Sequence, residues 1–173
     1  MDRNISRSWV IGSLSAGIVR KDSLIIFPNH DRIKKIIPEG ELQMDLEQDV
    51  WELVNQERVK EGLDVLEWSE GAAKAARMKA EDLWNKRYFD HFSPVYGTPA
   101  ALLRRVGVSF TGVGENLGQG PADTAQMMAG WMGSDGHRAN ILHRDFTHLG
   151  VGVFKVPEKD SMYWTQLFIS VSK

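Results

Sequence analysis

The sequence predicts an α+β protein folded as a three-layer α-β-α sandwich with an N-terminal extension. Four segments with helical patterning lie between residues 45 and 132, and two segments with strand patterning follow them. The last strand segment, "MYWTQLFISV", is apolar on both faces. A strand that is buried on both faces needs one layer above its sheet and another below it.

Composition sets the limits of this interpretation. The chain has 173 residues, enough for one domain with a packed core, and its net charge of −2 gives no reason to expect a nucleic-acid partner. Cysteine is absent from the sequence. This excludes disulfides, thiol nucleophiles and cysteine-ligated metals.

The chain divides into residues 1–44, an N-terminal arm or signal or anchor with a linker, and residues 45–173, the domain. The apolar run Trp9–Val19 is too short to span a bilayer. It is similar to the hydrophobic region of a secretory signal, with small residues near Ser15 and Ala16 as the candidate cleavage zone. An N-terminal strand or a tail is the alternative interpretation.

Two long helices open the domain. The first is predicted to begin at Asp45, whose side chain can cap it, and to end at Gly62. The second runs from Ser69 to about Lys86. Its small alanine side chains allow a neighbouring element to pack closely against it.

Two shorter helices follow. In "GTPAALLRRVG", Thr98 is the expected N-cap, Pro99 occupies the first turn and Gly107 lies beyond the end. The fourth helix spans about residues 123–132.

The C-terminal part is predicted to be β. In "LGVGVFKV", Leu149, Val151 and Val153 share one face, and Gly150 and Gly152 share the other. Glycines on one face of a strand indicate that another backbone packs very close to it.

Three polar residues stand out because each lies in a segment rich in Gly, Ser or Pro, typical of the loops and element ends where functional side chains are often presented. They are His91 in "YFDHFSP", Glu115 in "GVGENLGQG" and His137 in "SDGHRANIL". His143 and His148 lack this setting and are expected to have packing or surface roles.

Neither of the common local catalytic motifs is present. Two metal-binding histidines on one helix need a spacing of four, whereas the spacings from His137 to His143 and His148 are six and eleven. A serine triad could be assembled from Ser93 or Ser134, but the sequence has no G-x-S-x-G elbow.

Five segments in order, "YFDHFSP…TP", "GENLGQG", "GWMGSDGHRANIL", "THLGVGV" and "YWTQLF", closely resemble the CAP superfamily. This is the cysteine-rich secretory, venom-antigen and pathogenesis-related family, whose domain is also called SCP. The resemblance covers about residues 46–171 and is closest to the bacterial, cysteine-free branch of secreted or spore-associated proteins. It implies an α-β-α sandwich with a cleft that contains two histidines and two acidic residues.

Carried over to this chain, the resemblance assigns His91, Glu115 and His137 to the cleft. The second acidic residue would lie three residues after Trp131, where this chain has Ser134. These four residues form the expected cleft-binding set, and the first three are the catalytic candidates. We hypothesise that the two histidines bind a divalent metal such as Zn²⁺ weakly, with the carboxylate orienting one imidazole.

More ordinary roles are open for two of these residues. Glu115 can tie its own glycine-rich segment by accepting backbone N–H bonds, and His91 can be a structural histidine. The first of these roles is compatible with a place in the cleft.

Three functions compete. The favoured one is a noncatalytic binding module with a protein, cell-wall or lipid ligand, located outside the cell or in the cell envelope or spore coat. The second is a metal-assisted hydrolase or peptidase with Glu115 as general base. The third is a lipid-binding protein. Ser134 in place of a carboxylate weakens a two-carboxylate mechanism, and we therefore expect no enzymatic activity.

Overall fold

The computed structural model describes residues 39–172. The predictions for a signal, anchor or strand before residue 39 lie outside the described residues. The elements within the described range are five helices and four strands. They are α1 (Glu39–Lys60), β1 (Glu67–Trp68), α2 (Glu70–Lys86), α3 (Pro99–Arg105), β2 (Gly112–Gly120), α4 (Thr124–Met132), α5 (Asp135–Ile141), β3 (His148–Lys155) and β4 (Met162–Ser170). None of these helices is long and apolar enough to cross a membrane.

The four strands form one sheet in the order β1-β3-β4-β2. β1 pairs with β3 in parallel, whereas β4 is antiparallel to both β3 and β2. Residue 150 of β3 faces Leu167 of β4, and Leu167 in turn faces Glu115 of β2. Glu115 therefore lies on an edge strand, on the same face of the sheet as Gly150.

The helices cover both faces of this sheet, which confirms the predicted α-β-α sandwich. α2 and α3 pack on the face that includes Leu167, Ile169 and Val113. On the opposite face, Gly114 and Gly118 lie against side chains from α4, α5 and the loop after α5. α1 covers β3 on that side and also contacts α4 and α5.

Helix α2 lies directly on β3, as the two glycines of that strand predict. A Cβ atom on Gly150 would lie 2.6 Å from Ala72 Cβ and would overlap the backbone of Ala72 and Ala73. One turn along the helix, a Cβ on Gly152 would overlap the backbone of Ala76 and Arg77. The alanines of α2 and the glycines of β3 together allow this separation.

The predicted caps of α2 and α3 are present. Ser69 accepts a hydrogen bond from the N–H of Ala72, and Thr98 accepts one from Ala101. α1 differs from its prediction because it begins at Glu39 rather than at Asp45. Its buried stripe already starts one turn earlier, with Leu42 and Leu46 in front of Val50 and Val54.

Two further elements differ from the prediction. The glycine-rich segment "GVGENLGQG" is not a loop but the nine-residue strand β2, because its glycines make room for Phe146, Met127 and Trp131. Glu115 consequently lies in the middle of a strand. His137 lies on the short helix α5, which was not predicted.

Candidate functional site

Glu115 is the buried centre of the candidate site. Its side chain is 2 % exposed, and its Oε1 atom lies 2.7 Å from His91 Nδ1. The other carboxyl oxygen, Oε2, is buried and has no hydrogen-bond partner among the described residues. One oxygen therefore orients an imidazole, and the second is a buried acceptor without a partner among the described residues.

His91 lies in the loop between α2 and α3, and a buried lysine holds this loop in place. Lys79 Nζ donates to the carbonyl oxygens of Asp90 at 2.6 Å and His91 at 3.1 Å, and to Tyr88 Oη at 3.0 Å. The imidazole itself remains 60 % exposed. The backbone of His91 is thus fixed while its ring faces solvent.

Asp82 provides a second anchor for the same loop. Its Oδ2 atom accepts hydrogen bonds from Tyr88 Oη at 2.6 Å and Ser93 Oγ at 2.7 Å. Ser93 Oγ also accepts the N–H groups of Val95 and Tyr96. These bonds give the Ser93 hydroxyl a structural role, which argues against the serine-triad alternative at this position.

His137 lies on α5, which is hydrogen-bonded to the edge strand β2. Asn116 Nδ2 donates to the His137 carbonyl at 3.1 Å, and Asn140 Nδ2 donates to the Glu115 carbonyl at 3.1 Å. Asn140 also donates to Asn116 Oδ1 at 2.8 Å. This amide network fastens α5 to β2 and contacts His137 through its backbone carbonyl, whereas the His137 side chain is not among the residues that line the cleft beside Glu115.

Ser134 takes the N-cap position of α5 but makes no side-chain capping bond. Within residues 39–172, no hydrogen bond joins it to His91, Glu115 or His137. Trp131, three residues earlier, is buried and donates from Nε1 to the Leu117 carbonyl at 2.9 Å. Within the described range, the side chains of His91 and Glu115 are paired, His137 is connected to Glu115 only through backbone carbonyls and the two asparagine side chains, and Ser134 has no hydrogen bond to any of the three.

The environment changes the proton affinity of several groups. Burial raises the pKa of Glu115, and the opposing effects of the hydrogen bond to His91 and the charge of Lys79 are smaller. Burial lowers the pKa of Lys79. Burial and repulsion from His91 lower the pKa of His137, which favours a neutral imidazole able to act as a ligand.

An open cleft of about 350 Å³ lies beside the Glu115–His91 pair. Its wall is formed by His91, Thr98, Pro99, Ala100, Val113, Gly114, Glu115 and Asn140. No group of three or more His, Cys, Asp or Glu side chains in the described range is arranged to hold a metal. A metal ion here would consequently take few protein ligands and keep solvent in its remaining positions.

The donor set nevertheless fits an open site of this kind. Metal-bound histidines usually donate their second ring N–H to a carboxylate, which fixes the tautomer and the ring orientation. His91 and Glu115 have this relation, and His91 Nε2 would be the ligating atom. The unpartnered Oε2 atom of Glu115 adds a buried oxygen.

Lys79, Asp82, Asn116 and Asn140 build the frame of the site, and sequence patterns did not reveal the first two of them. A signal for Lys79 was present, since it lies three and four residues after Ala76 and Ala75, on the buried stripe of α2. A lysine on such a stripe needs a buried partner. Asn116 and Asn140 were expected from the sequence to fix loops, but no pattern indicated that they bond to each other and join α5 to β2.

His143 and His148 have the packing and surface roles expected of them. The His143 ring packs on Phe146 with 4.6 Å between centroids. His148 Nδ1 lies 2.8 Å from Thr147 Oγ1. Neither lines the cleft beside Glu115.

Comparison with known proteins identifies the family to which a domain with this fold and cleft belongs. The model of the cysteine-rich secretory protein family, CAP, matches residues 51–168. The chain belongs to this family, in its cysteine-free bacterial branch.

Two proteins of Bacillus subtilis are similar in sequence to this chain. The chain is 43% identical over 123 residues to the uncharacterized protein YkwD of Bacillus subtilis, covering 71% of this chain and 46% of that protein. It is 39% identical over 128 residues to the uncharacterized membrane protein YlbC of the same organism, covering 74% of this chain and 35% of that protein. The chain thus spans less than half the length of either relative.

Two of the similar solved structures have the same fold. An extracellular protein containing an SCP domain from Bacillus anthracis superposes with a TM-score of 0.71 at 34% identity, covering 76% of this chain and 42% of that one. An outer surface protein of Borrelia burgdorferi superposes with a TM-score of 0.66 at 21% identity, covering 72% and 92% of the two chains. The second likeness shows the fold alone.

Proposed function

We propose that this CAP domain is a noncatalytic binding module whose cleft binds a divalent metal ion such as Zn²⁺ weakly through His91 and His137. The observation that carries the proposal is the 2.7 Å pairing of His91 Nδ1 with Glu115 Oε1. This pairing leaves His91 Nε2 on an exposed ring. A small number of ligands and an open cleft favour weak, exchangeable binding over a permanent structural ion.

Binding is favoured over catalysis because the cleft has one carboxylate where a two-carboxylate mechanism needs a pair. The position expected for the second carries Ser134, which has no hydrogen bond to the other three residues in the described structure. Ser93 is held by Asp82 and its own loop. In the described structure neither hydroxyl is hydrogen-bonded to a histidine, and the Ser93 hydroxyl, which donates to Asp82, also accepts two backbone N–H bonds.

We further propose a location outside the cell or in the cell envelope, with the spore coat as a narrower alternative. Support comes from the 34%-identical Bacillus anthracis protein, which is described as extracellular. The ligand in that setting would be a protein or a cell-wall component. The lipid alternative loses support because Trp131, Trp164, Met128 and Met162 are buried in the core.

Calorimetric titration with ZnCl₂ tests the metal site. His91→Ala and His137→Ala are each expected to weaken binding at least tenfold, the lower end of the effect of disturbing a metal's immediate surroundings. His143→Ala removes an exposed histidine outside the cleft and is the matched control. Equal heats for the wild type and both cleft variants would contradict the proposal.

A metal-assisted hydrolase is the second candidate, because the pKa of Glu115 is raised by burial and its Oε2 atom has no partner in the described structure. A carboxyl group of this kind can act as general base. Turnover of a peptide or cell-wall library that needs Zn²⁺ and disappears in Glu115→Gln would establish this activity. A lack of turnover by the zinc-loaded wild type would exclude it for those substrates.

A further inference from the structure

The first half of β2 is an accessible edge of the sheet. β2 is the last strand in the sheet order, and in the described chain no strand pairs with its outer side. Thr111 is exposed and residues 112–114 are half-buried, whereas residues 115–118 are buried. The accessible part of the edge therefore comprises about four residues, or roughly 13 Å of strand.

The structure also shows which backbone groups face outward. The carbonyl oxygens of Glu115 and Leu117 accept hydrogen bonds from Asn140 and Trp131, so these residues turn their backbone groups away from β4. Because the direction alternates along an antiparallel strand, Val113 turns its N–H and C=O to the same outer edge. The side chains of Asn140 and Trp131 close this edge from residue 115 onward.

Two depressions meet at this accessible edge. The cleft beside His91 is lined by Val113, Gly114 and Glu115. A wider depression of about 760 Å³ is lined by Thr111, Gly112 and Val113. Val113 belongs to both, so the two depressions adjoin at the edge of β2, and together they are called the groove below.

The wider depression is acidic. Asp64, Glu67 and Asp145 line it and are exposed, and Arg144 is the one Lys or Arg among its lining residues. A ligand that enters from this end therefore meets an excess of negative charge. This favours a cationic group at the Thr111 end of the groove.

From these observations we infer that the groove binds an extended peptide by strand addition to the Val113 edge of β2, with a lysine or arginine of the peptide in the acidic depression. Main-chain hydrogen bonds to Val113 would supply affinity, and alternate side-chain positions would supply selectivity. The strand would stop at Glu115, where Asn140 occupies the edge, so the end of the peptide would lie next to His91. The inference rests on the proposed function only in that the domain is a binding module.

The test is a binding screen of the full chain in EDTA against positional pools of acetylated, amidated hexapeptides, each pool fixed at one position. We expect retention of pools with Lys or Arg near one end. The best sequence is then N-methylated at alternate amides, in two complementary sets. Because alternate N–H groups of a strand point in opposite directions, one set should lower affinity about tenfold and the other should change it little.

Two proline variants form a matched pair. Val113→Pro removes the outward N–H inside the groove and should weaken binding about tenfold. Gln119→Pro removes an outward N–H on the same edge beyond the groove and should leave binding unchanged. Both prolines follow a glycine. Asp64→Asn with Asp145→Asn should reduce the preference for Lys over Gln in the peptide.

No retained pool, equal effects of the two methylation sets, or equal effects of the two prolines would each overturn the inference. The methylated peptides keep the test decisive if Val113→Pro does not fold. Because EDTA removes divalent metal ions, this test measures peptide binding independently of the proposed metal binding. Peptide binding can persist when Zn²⁺ does not bind, and Zn²⁺ can bind where no peptide does.

Discussion

Replacement of Gly150 by alanine tests the closest contact in the fold, that between β3 and α2. The added Cβ would lie 2.6 Å from Ala72 Cβ and would overlap the helix backbone. Carbon atoms in contact prefer about 3.5–4.0 Å, so α2 must retreat by roughly 1 Å or more. The obstacle is helix backbone, and no rotation of a side chain can relieve the overlap.

The loss of folding stability in Gly150→Ala can be estimated from these distances. Overpacking typically costs about 1–3 kcal/mol, and a clash with backbone belongs at the upper end, near 3 kcal/mol. A unit that spans residues 39–172 has an unfolding entropy of roughly 0.28 kcal/mol/K. Gly150→Ala should therefore lower Tm by about 10 °C.

Scanning calorimetry of Gly150→Ala and Gly136→Ala measures this effect against a control. Gly136 lies in α5, and a Cβ there would meet nothing within 4 Å. Since alanine is up to about 1 kcal/mol better than glycine in a helix, this variant should keep or slightly raise Tm. A fall of less than about 3 °C for Gly150→Ala would refute the close packing of α2 on β3.

Three other predictions concern buried charged residues, namely Lys79, Glu115 and Arg58. Lys79→Met should lower the free energy of unfolding by about 1–3 kcal/mol, because two backbone carbonyls of the loop that carries His91 lose their donor. The same loop should become sensitive to proteolysis. Lys74→Met, on the exposed side of the same helix, should have neither effect. In EDTA, the raised pKa of Glu115 means that the folded state holds a proton that the unfolded state has lost above pH 4.5. Stability should therefore fall as pH rises from 4.5 through the folded pKa, and Glu115→Gln should flatten that fall in urea titrations; an unchanged slope would contradict it. Arg58→Met removes the donor to carbonyls at residues 141 and 143 and should accelerate amide exchange across residues 141–146 by at least tenfold, whereas the exposed Lys60→Met should leave it unchanged.

The parts of the fold that the sequence predicted are those with local signals. α2 and α3 carry a capping residue at the start, and the glycines of β3 by themselves indicate a close neighbour. β2 has no such signal, because four of its nine residues are glycine and their purpose is to admit side chains from α4, α5 and the following loop. Only the assembled layers reveal why those glycines belong to a strand.

The same distinction applies to the site. His91, Glu115 and His137 could be predicted as site residues, because each lies in a short segment with a recognisable motif of its own. Their connection could not be deduced, because it depends on Lys79 and on an amide network between β2 and α5. Those contacts join residues that are 11–25 positions apart and carry no periodicity.

Glu115 couples the two sides of the cleft through different atoms. Its side chain pairs with His91, and its backbone carbonyl accepts a hydrogen bond from Asn140 of the helix that carries His137. Glu115→Gln would therefore change the first connection and preserve the second. Because both histidine-bearing segments are fixed by buried groups before a ligand arrives, little ordering entropy is lost on binding. This preorganisation would favour the metal binding proposed for a cleft with so few ligands, and substitutions in the frame are therefore expected to weaken that binding as substitutions of the two histidines would.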